Sequence, residues 1–260
     1  MCQNAPHTPT RHPPAWRHLL VATLLLAAPT AWAATSILIW PINPLIEGDR
    51  KAAALWLENR GEKPVSLQVR VFDWHQQERT DGLEPQRAVV GSPPVTEVQP
   101  GKQQMVRLIL REPVSAGREH AYRVLVDEML TPDSQGNADL GVQFQMRYSV
   151  PLFVIGSGAR VDLRGTEEPG RLRPQLRYRI SEAGGTRYLS VRNVGDAHAR
   201  LSAVRLVQGS RAFSISDGLL GYVLAGAEMR WPLPREMPAG AGVLEARVND
   251  ADQPVRLAAD

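Results

Sequence analysis

The most regular stretch of the chain lies between Gly141 and Phe153. From Val142 to Val150 every second residue is large and apolar, and the residues between them are polar. Side chains alternate sides along an extended strand, so this pattern predicts a strand with one apolar and one polar face. The apolar row consists of Val142, Phe144, Met146, Tyr148 and Val150. Two interpretations are open: a half-buried strand of an antiparallel sheet, or a strand whose apolar row is offered to another protein.

Shorter strand-like stretches precede this strand, and turn-forming residues separate them. They cover residues 37–46, 52–59, 65–74, 92–102, 104–110 and 121–129. The first contains Pro41 and Pro44, which cannot donate to a ladder, so it is predicted at the edge of a sheet. Asp81-Gly82 is predicted to form a tight turn. About seven strands in roughly 120 residues, without a clear amphipathic helix, are typical of an immunoglobulin-like β-sandwich.

Strand-like patterning resumes in the last third of the chain. Gly156-Ser157-Gly158-Ala159 is predicted as a flexible hinge, and residues 165–174 are charged and rich in turn formers. Further strands are predicted at 176–180, 188–193, 201–207, 221–224, 228–233 and 243–248. The sequence therefore predicts a first sandwich over 35–155, a linker over 156–174 and a smaller second sandwich over 175–260.

The N-terminal segment has the pattern of a secretory signal peptide. Arg11 and Arg17 precede an apolar run at 19–28, and Ala31-Trp32-Ala33 places small residues at a cleavage site. The apolar run is too short to span a bilayer as a stable helix, and no later stretch is long enough. We therefore predict that residues 1–34 are removed and that the mature protein is exported, with no membrane insertion.

Composition narrows the classes of partner. Cys2 is the only cysteine and leaves with the leader, so the mature chain has no disulfide. The net charge is only +3, and arginines are scattered along the strands instead of forming runs. This distribution argues against nucleic-acid binding and favours pairs between arginine and carboxylate. Aromatic residues make up 6% of the chain, which does not favour a stacking platform for bases.

Catalytic and metal-binding patterns are missing from the sequence. His75, His120 and His198 lie on three separate segments without a second ligand at metal spacing, and each is predicted at the surface or in a turn. The chain has no Gly-x-Ser-x-Gly elbow around a nucleophile and no phosphate-binding loop. We therefore predict that the protein is not an enzyme and uses no metal or other cofactor.

The order of several short motifs resembles one known family. Pro93-Pro94 is followed by the segments 100–108 and 122–128 and then by the alternating strand 142–150. In this order they resemble the periplasmic pilus (fimbrial) chaperones, over essentially the whole mature chain. The ending at 148–153 is most similar to the archaic, spore-coat-U-associated branch. The resemblance implies two immunoglobulin-like sandwiches in an L- or boomerang-shaped arrangement.

The resemblance also implies a function, donor-strand complementation. A pilus subunit is an immunoglobulin-like domain without its last strand, and the chaperone lends its own strand to fill the groove. Val142, Phe144 and Met146 would plug the groove, with Tyr148 and Val150 extending the row. The implied partners are pilus subunits and an outer-membrane usher, and the free chaperone could cap its own strand as a dimer. The alternative is a secreted structural protein or a pilus subunit that uses this strand in its own core.

Two features of the family depend on charged residues. The family holds the subunit's C-terminal carboxylate with an Arg and a Lys, but the matching positions here carry Asn43 and Pro151. Arg147, on the polar side of the strand, and Arg50 are the substitute candidates for this anchor; the alternative is that both are solvated surface residues. The resemblance further implies a structural ion pair between Arg107 and Glu128.

Overall fold

The computed structural model describes residues 37–129, 145–166, 168–238, 240 and 242–260. The predicted signal peptide lies outside these residues. The described residues belong to one compact unit, Thr35–Asp260, and their regular elements are all β-strands. This part of the chain contains no helix that could span a membrane.

Two facing sheets formed by the first ten strands make up the first sandwich. The strands are β1 (Ile37–Trp40), β2 (Leu45–Ile46), β3 (Ala52–Asn59), β4 (Val65–Gln77), β5 (Thr80–Pro85), β6 (Val89–Ser92), β7 (Val95–Val98), β8 (Gln103–Leu110), β9 (Glu119–Glu128) and β10 (Arg147–Ile155). One sheet has the order β1-β3-β8-β6, and the other has the order β2-β10-β9-β4-β5, with β7 also paired to β4. All pairs are antiparallel except β2 with β10.

The core of this sandwich follows from the two-residue period of the strands. Leu55 and Leu57 on β3 are fully buried, and they face Val124 and Val126 of the other sheet within one cluster. Burying an aliphatic side chain of this size stabilises the fold by about 1.5–3 kcal/mol. Alternation therefore determines which face of each strand points inward.

The proline-containing first segment divides between the two sheets. Residues 37–40 pair with β3, and residues 45–46 pair with β10 in the opposite sheet. Both pieces lie at sheet edges, as the prolines predicted, because an edge strand does not need every N–H donor.

The predicted turn at Asp81-Gly82 was wrong. β4 and β5 are joined three residues earlier by Glu78 and Arg79, which have φ angles of 52° and 63°. Two positive φ angles match the twist of a two-residue hairpin, although neither residue type favours them. Gly82 lies opposite His75, where a Cβ would come within 2.2 Å of the His75 ring.

The second sandwich is formed by the last eight strands. They are β11 (Leu176–Ala183), β12 (Thr186–Asn193), β13 (Ala199–Gln208), β14 (Arg211–Val223), β15 (Glu228–Pro232), β16 (Val243–Val248), β17 (Val255–Arg256) and β18 (Ala258–Ala259). The sheets have the orders β15-β12-β11-β18 and β14-β13-β16-β17. Leu189, Leu201 and Leu244 are fully buried between them.

Each sandwich has a buried asparagine at the same point of its architecture. Asn59 and Asn193 are both 0% exposed, and each is followed two residues later by a glycine. The Asn59 amide donates to the carbonyls of Lys63 and Val98, at 2.7 and 2.8 Å. Asn193 makes the equivalent bonds in its own sandwich. The side chains satisfy backbone groups that the turn leaves unpaired, which explains the sequence similarity between the two sites.

The two sandwiches are joined by hydrogen bonds and an aromatic cluster. The Gln76 side chain donates to the Tyr222 carbonyl at 3.0 Å and accepts from the Leu224 N–H at 2.8 Å. Trp74 and Phe153 of the first sandwich pack against Tyr222 and Leu224 of the second. Burial of this apolar surface, together with paired polar groups, stabilises the interface.

The expected surface position of His198 was also wrong, since this side chain is 2% exposed. Its Nδ1 lies 2.8 Å from the Glu119 carboxylate, which also accepts the His198 main-chain N–H at 2.7 Å. The ring stacks on Phe153 with centroids 3.4 Å apart. His198 therefore joins the two sandwiches in the interior of the molecule.

Gly156, predicted to supply flexibility, is closely packed against the neighbouring backbone. A Cβ at this position would be 2.0 Å from the main-chain oxygen of Ser115. The Gly156 N–H donates to the Arg118 carbonyl at 2.8 Å. The glycine is required here because two backbone segments approach each other closely.

Candidate functional site

Strand β10 has one paired edge and one largely open edge. β9 pairs with it along its whole length, from Arg147 opposite Asp127 to Ile155 opposite Glu119. On the other side, β2 covers only Phe153 and Val154. Among the described residues, positions 147–152 therefore have no strand beyond them, and this edge can accept another strand.

The ladder determines which backbone groups face the open edge. The Met146 carbonyl accepts from the Glu128 N–H on the β9 side, whereas the Phe153 N–H donates to Pro44 on the opposite side. Backbone groups of alternate residues point in opposite directions, so Arg147, Ser149 and Pro151 face the open edge. Pro151 lacks an N–H donor, and the open edge is where a sheet tolerates this loss.

The apolar row passes from the chain's own core to the surface. Val150 is 7% exposed and belongs to the core of the first sandwich, and half-buried Tyr148 packs against that core. Met146 is 46% exposed. Val142 and Phe144 lie outside the described residues. Val150 is thus a core residue of this chain, and the surface available to a partner begins at Tyr148 and extends towards Met146.

The polar face of β10 carries an ionic cluster. Asp127 accepts hydrogen bonds from Arg147 and, at 2.7 Å, from Arg70. Partial burial raises the pKa of Asp127, but the two guanidinium groups outweigh this effect and hold it below its ordinary value. The cluster borders an open groove of about 490 Å³, which Met146 and Glu128 also line. The groove lies over β4, β9 and the start of β10, and its two arginines are balanced by Asp127 and Glu128.

The two candidate anchor residues are not brought together. Arg50 is exposed in the turn after β2, where its Nε donates to the Glu47 carbonyl at 3.4 Å. β2 runs parallel to β10 at Phe153 and Val154, so Arg50 continues away from Arg147. Six residues already separate Arg147 from Phe153, which corresponds to about 20 Å along a strand. A single carboxylate cannot contact both arginines.

The implied ion pair between Arg107 and Glu128 is not formed. Arg107 is exposed on β8, and Glu128 lies on β9 of the opposite sheet. The Glu128 carboxylate accepts from the Tyr148 hydroxyl at 3.3 Å instead. Burial raises the pKa of Glu128, and the hydrogen bond from Tyr148 partly opposes this. The sandwiches are connected by the hydrogen bonds between Glu119 and His198 and by the ion pair between Arg79 and Glu228.

Arg123 is a charged residue of the site that the sequence did not reveal. It lies on β9 directly opposite Pro151, and its guanidinium is 3.6 Å from the centre of the Trp74 ring and 5.4 Å from that of Tyr222. The strand pattern predicted only a polar position on β9. Trp74 lies next to Arg123 because β4 pairs with β9, and Tyr222 lies next to it because the two sandwiches are in contact. Neither relationship has a local signal in the sequence.

No group of three His, Cys, Asp or Glu side chains within the described ranges is arranged to hold a metal ion.

Two sandwiches with an open-edged strand next to their junction are the arrangement of a pilus-assembly chaperone. The "pili and flagellar-assembly chaperone, PapD N-terminal domain" family matches residues 44–158. A sequence search against curated proteins found no match.

Solved structures extend the similarity to both sandwiches. The chaperone CsuC, in a complex with the tip subunit CsuE from archaic chaperone-usher Csu pili of Acinetobacter baumannii, is 31% identical with a TM-score of 0.68. The match covers 86% of this chain and 99% of that one. The chain therefore belongs to the PapD-like family of pilus-assembly chaperones, as its sequence indicated.

More distant structures share the fold. The SafB chaperone in complex with the SafA pilin of Salmonella enterica is 18% identical with a TM-score of 0.58, over 88% of this chain and 98% of that one. The Escherichia coli chaperone DraB is 17% identical with a TM-score of 0.55, over 87% and 98%. These matches support the two immunoglobulin-like sandwiches predicted from the strand pattern.

Proposed function

We propose that this protein is a periplasmic chaperone that binds pilus subunits by donor-strand complementation and delivers them to an outer-membrane usher. The observation that carries the proposal is the open edge of β10 next to an apolar row that leaves the core. Subunit complexes of related chaperones, with the tip subunit CsuE and the pilin SafA, support it. The predicted leader provides the export route.

The geometry indicates how a subunit would be held. The backbone groups of Arg147 and Ser149 on the open edge would pair with a strand of the subunit. Val142, Phe144 and Met146 would enter the subunit's incomplete core, each contributing about 1.5–3 kcal/mol. Tyr148 and Val150 would connect this row to the chaperone's own core. The subunit core would thus be completed by residues that continue the core of the chaperone.

Release needs no nucleotide in this scheme. The lent strand is held by hydrogen bonds and apolar contacts, which another strand of similar pattern can replace at the usher. Met146 suits a strand that serves several subunits, because an unbranched thioether side chain repacks easily. No catalytic step is required, in agreement with the class of protein to which the chain belongs.

The alternative interpretation was a structural protein or pilus subunit that uses the strand in its own core. Two observations favour the chaperone. The edge of β10 at 147–152 is open among the described residues, and the similarity to CsuC covers both sandwiches. An exposed sheet edge has to be blunted or covered, and a strand of a bound subunit would cover this one.

Co-expression with candidate pilus subunits, followed by pull-down from the periplasm, tests the proposal. We expect the double substitution Phe144→Glu and Met146→Glu to leave the chaperone folded and to abolish co-purification. Met105→Glu is the matched control, because Met105 is similarly exposed but lies on the other sheet. Retained binding by the double variant would refute the donor-strand assignment, and unfolding would show that the row belongs to the chain's own core.

A further inference from the structure

The outer face of the β1-β3-β8-β6 sheet carries a patch of large apolar side chains. Trp40, Trp56 and Met105 lie side by side across β1, β3 and β8. The two indole rings stack with their centroids 6.2 Å apart and their planes inclined at 10°. Leu38 lies two residues from Trp40, on the same side of β1. We call these four side chains the tryptophan patch; Leu38 and Met105 are each 37% exposed.

The two-residue period of the strands keeps the tryptophan patch out of the core. On β3, Leu55 and Leu57 are fully buried, so Trp56 between them points away from the core. Val106 and Leu108 determine the direction of β8 in the same way. The second sandwich packs against the opposite sheet of the first. The patch is therefore apolar surface, and both tryptophans remain partly exposed.

Apolar residues at these positions need an explanation other than folding. An antiparallel sheet with one face on the core normally carries polar residues on its other face. A contiguous apolar patch on a surface marks an interaction site, and tryptophan is enriched among the residues that dominate binding energy at interfaces. Met105 adds a flexible side chain that adapts to an opposing surface. We therefore expect another protein surface to cover the patch.

Charges of opposite sign flank the tryptophan patch on its two sides. Glu58 lies two residues after Trp56 on β3, and Arg107 lies two residues after Met105 on β8. Because these strands are antiparallel, the acid and the base lie on opposite sides of the patch. Arg107 forms no ion pair with another described residue. Glu58 pairs at the surface with Arg60, at 3.1 Å.

This distribution of charge makes the face complementary to itself. A two-fold axis that runs across the strands, along the patch, turns the Glu58 side of one copy onto the Arg107 side of the other. Glu58 then faces Ala54 of the second copy, and Arg107 is the neighbour of Ala54 across the ladder, about 4.8 Å away. The contact occurs twice by symmetry. An axis parallel to the strands would leave the same charges about 14 Å apart.

We propose that the outer face of the β1-β3-β8-β6 sheet forms a symmetric dimer with a second copy of this chain. β3 and β8 are eight residues long, so the sheet offers at most about 27 by 19 Å, or roughly 500 Å² per copy. An interface of this size is at the low end for specific complexes, so the dimer should be weak and concentration-dependent. The open edge of β10 belongs to the other sheet and stays accessible, which distinguishes this dimer from capping of that strand.

Sedimentation velocity of the purified mature protein, over a concentration series through the micromolar range, tests the proposal. We expect a monomer–dimer equilibrium that Trp56→Lys weakens by about 30- to 1,000-fold, the range for a central interface residue. Leu219→Lys is the matched control, because Leu219 is also an exposed apolar residue but lies on β14 of the second sandwich. Circular dichroism and urea unfolding show that each variant is folded.

A charge exchange tests the arrangement of the two copies without changing the tryptophans. Glu58→Arg and Arg107→Glu should each weaken self-association at least about tenfold, because like charges then meet across the interface. An equimolar mixture of the two variants should associate again as a heterodimer, since each supplies the charge that the other needs. No recovery in the mixture would refute the two-fold axis.

Three other results would overturn the dimer. One is a wild-type protein that stays monomeric throughout the series, including the case in which Trp56→Lys then abolishes co-purification of another protein. The second is an equal loss of association for Trp56→Lys and Leu219→Lys. The third is a dimer that survives Trp56→Lys but is lost in the Phe144→Glu and Met146→Glu double variant, which would assign self-association to β10.

Discussion

Glu119 and His198 connect the two sandwiches through two hydrogen bonds to one carboxylate. The carboxylate accepts the His198 main-chain N–H at 2.7 Å and lies 2.8 Å from Nδ1. Both side chains are 2% exposed, and Phe153 of strand β10 stacks on the imidazole. The strand proposed to bind subunits is thereby packed against the junction of the sandwiches.

We expect Glu119→Ala to destabilise the protein by about 1–3 kcal/mol, because it leaves buried polar groups of His198 without a partner. Urea unfolding measured by circular dichroism would show the loss as a lower transition midpoint. Glu228→Ala is the control, since Glu228 pairs with Arg79 across the same junction at the surface. Its effect should stay below about 1 kcal/mol. Equal losses for the two variants would contradict a special contribution from the buried pair.

Gly156→Ala should destabilise the protein although alanine has the higher intrinsic preference for ordered structure. The new methyl group would meet the Ser115 oxygen at 2.0 Å, so the backbone must shift, at a cost of about 1–3 kcal/mol. Gly218→Ala is the matched control, because a Cβ there meets nothing within 4 Å. Thermal unfolding of both variants decides between close packing and flexibility. An unchanged midpoint for Gly156→Ala would favour the hinge.

Asp127 should contribute to stability in a pH-dependent manner. Its pKa is lowered in the folded state, so the contribution is present above the unfolded value of 3.8 and is lost as pH falls through the folded value. Asp127→Asn should therefore differ from the wild type by up to about 1 kcal/mol at neutral pH. The difference should shrink below pH 3.8, which unfolding curves at several pH values would show. A constant difference down to pH 2 would refute the ion-pair explanation.

Arg147→Ala should weaken subunit capture only modestly, by about fivefold, because Arg147 is exposed and shares Asp127 with Arg70. Affinity for the co-expressed subunit is the measurement. Arg60→Ala serves as the control, since Arg60 forms a surface ion pair with Glu58 on the opposite sheet. Unchanged affinity would show that Arg147 serves only its ion pair with Asp127.

Local pattern was sufficient for several strands and their faces, although it missed β5 and most of β14. The alternation at 65–74 and 121–129 predicted β4 and β9, and Val69 and Val124 are buried as the period requires. The turn at Glu78 and Arg79 escaped prediction because its residue types do not favour positive φ, and the hairpin register imposes it. The side chains of Arg107 and Glu128 could not be paired correctly from sequence, because opposite sheets separate them.

The sequence by itself determined the two-sandwich fold and the family, because period, turn residues and motif order are local properties. Only the tertiary structure decided that no strand of the described residues covers β10 at 147–152, that Val150 belongs to the chain's own core and that His198 is buried against Glu119. It also placed Arg123 between Trp74 and Tyr222. These relationships join residues far apart in the chain, and their energy comes from burial and pairing that exist only once the sandwiches are assembled.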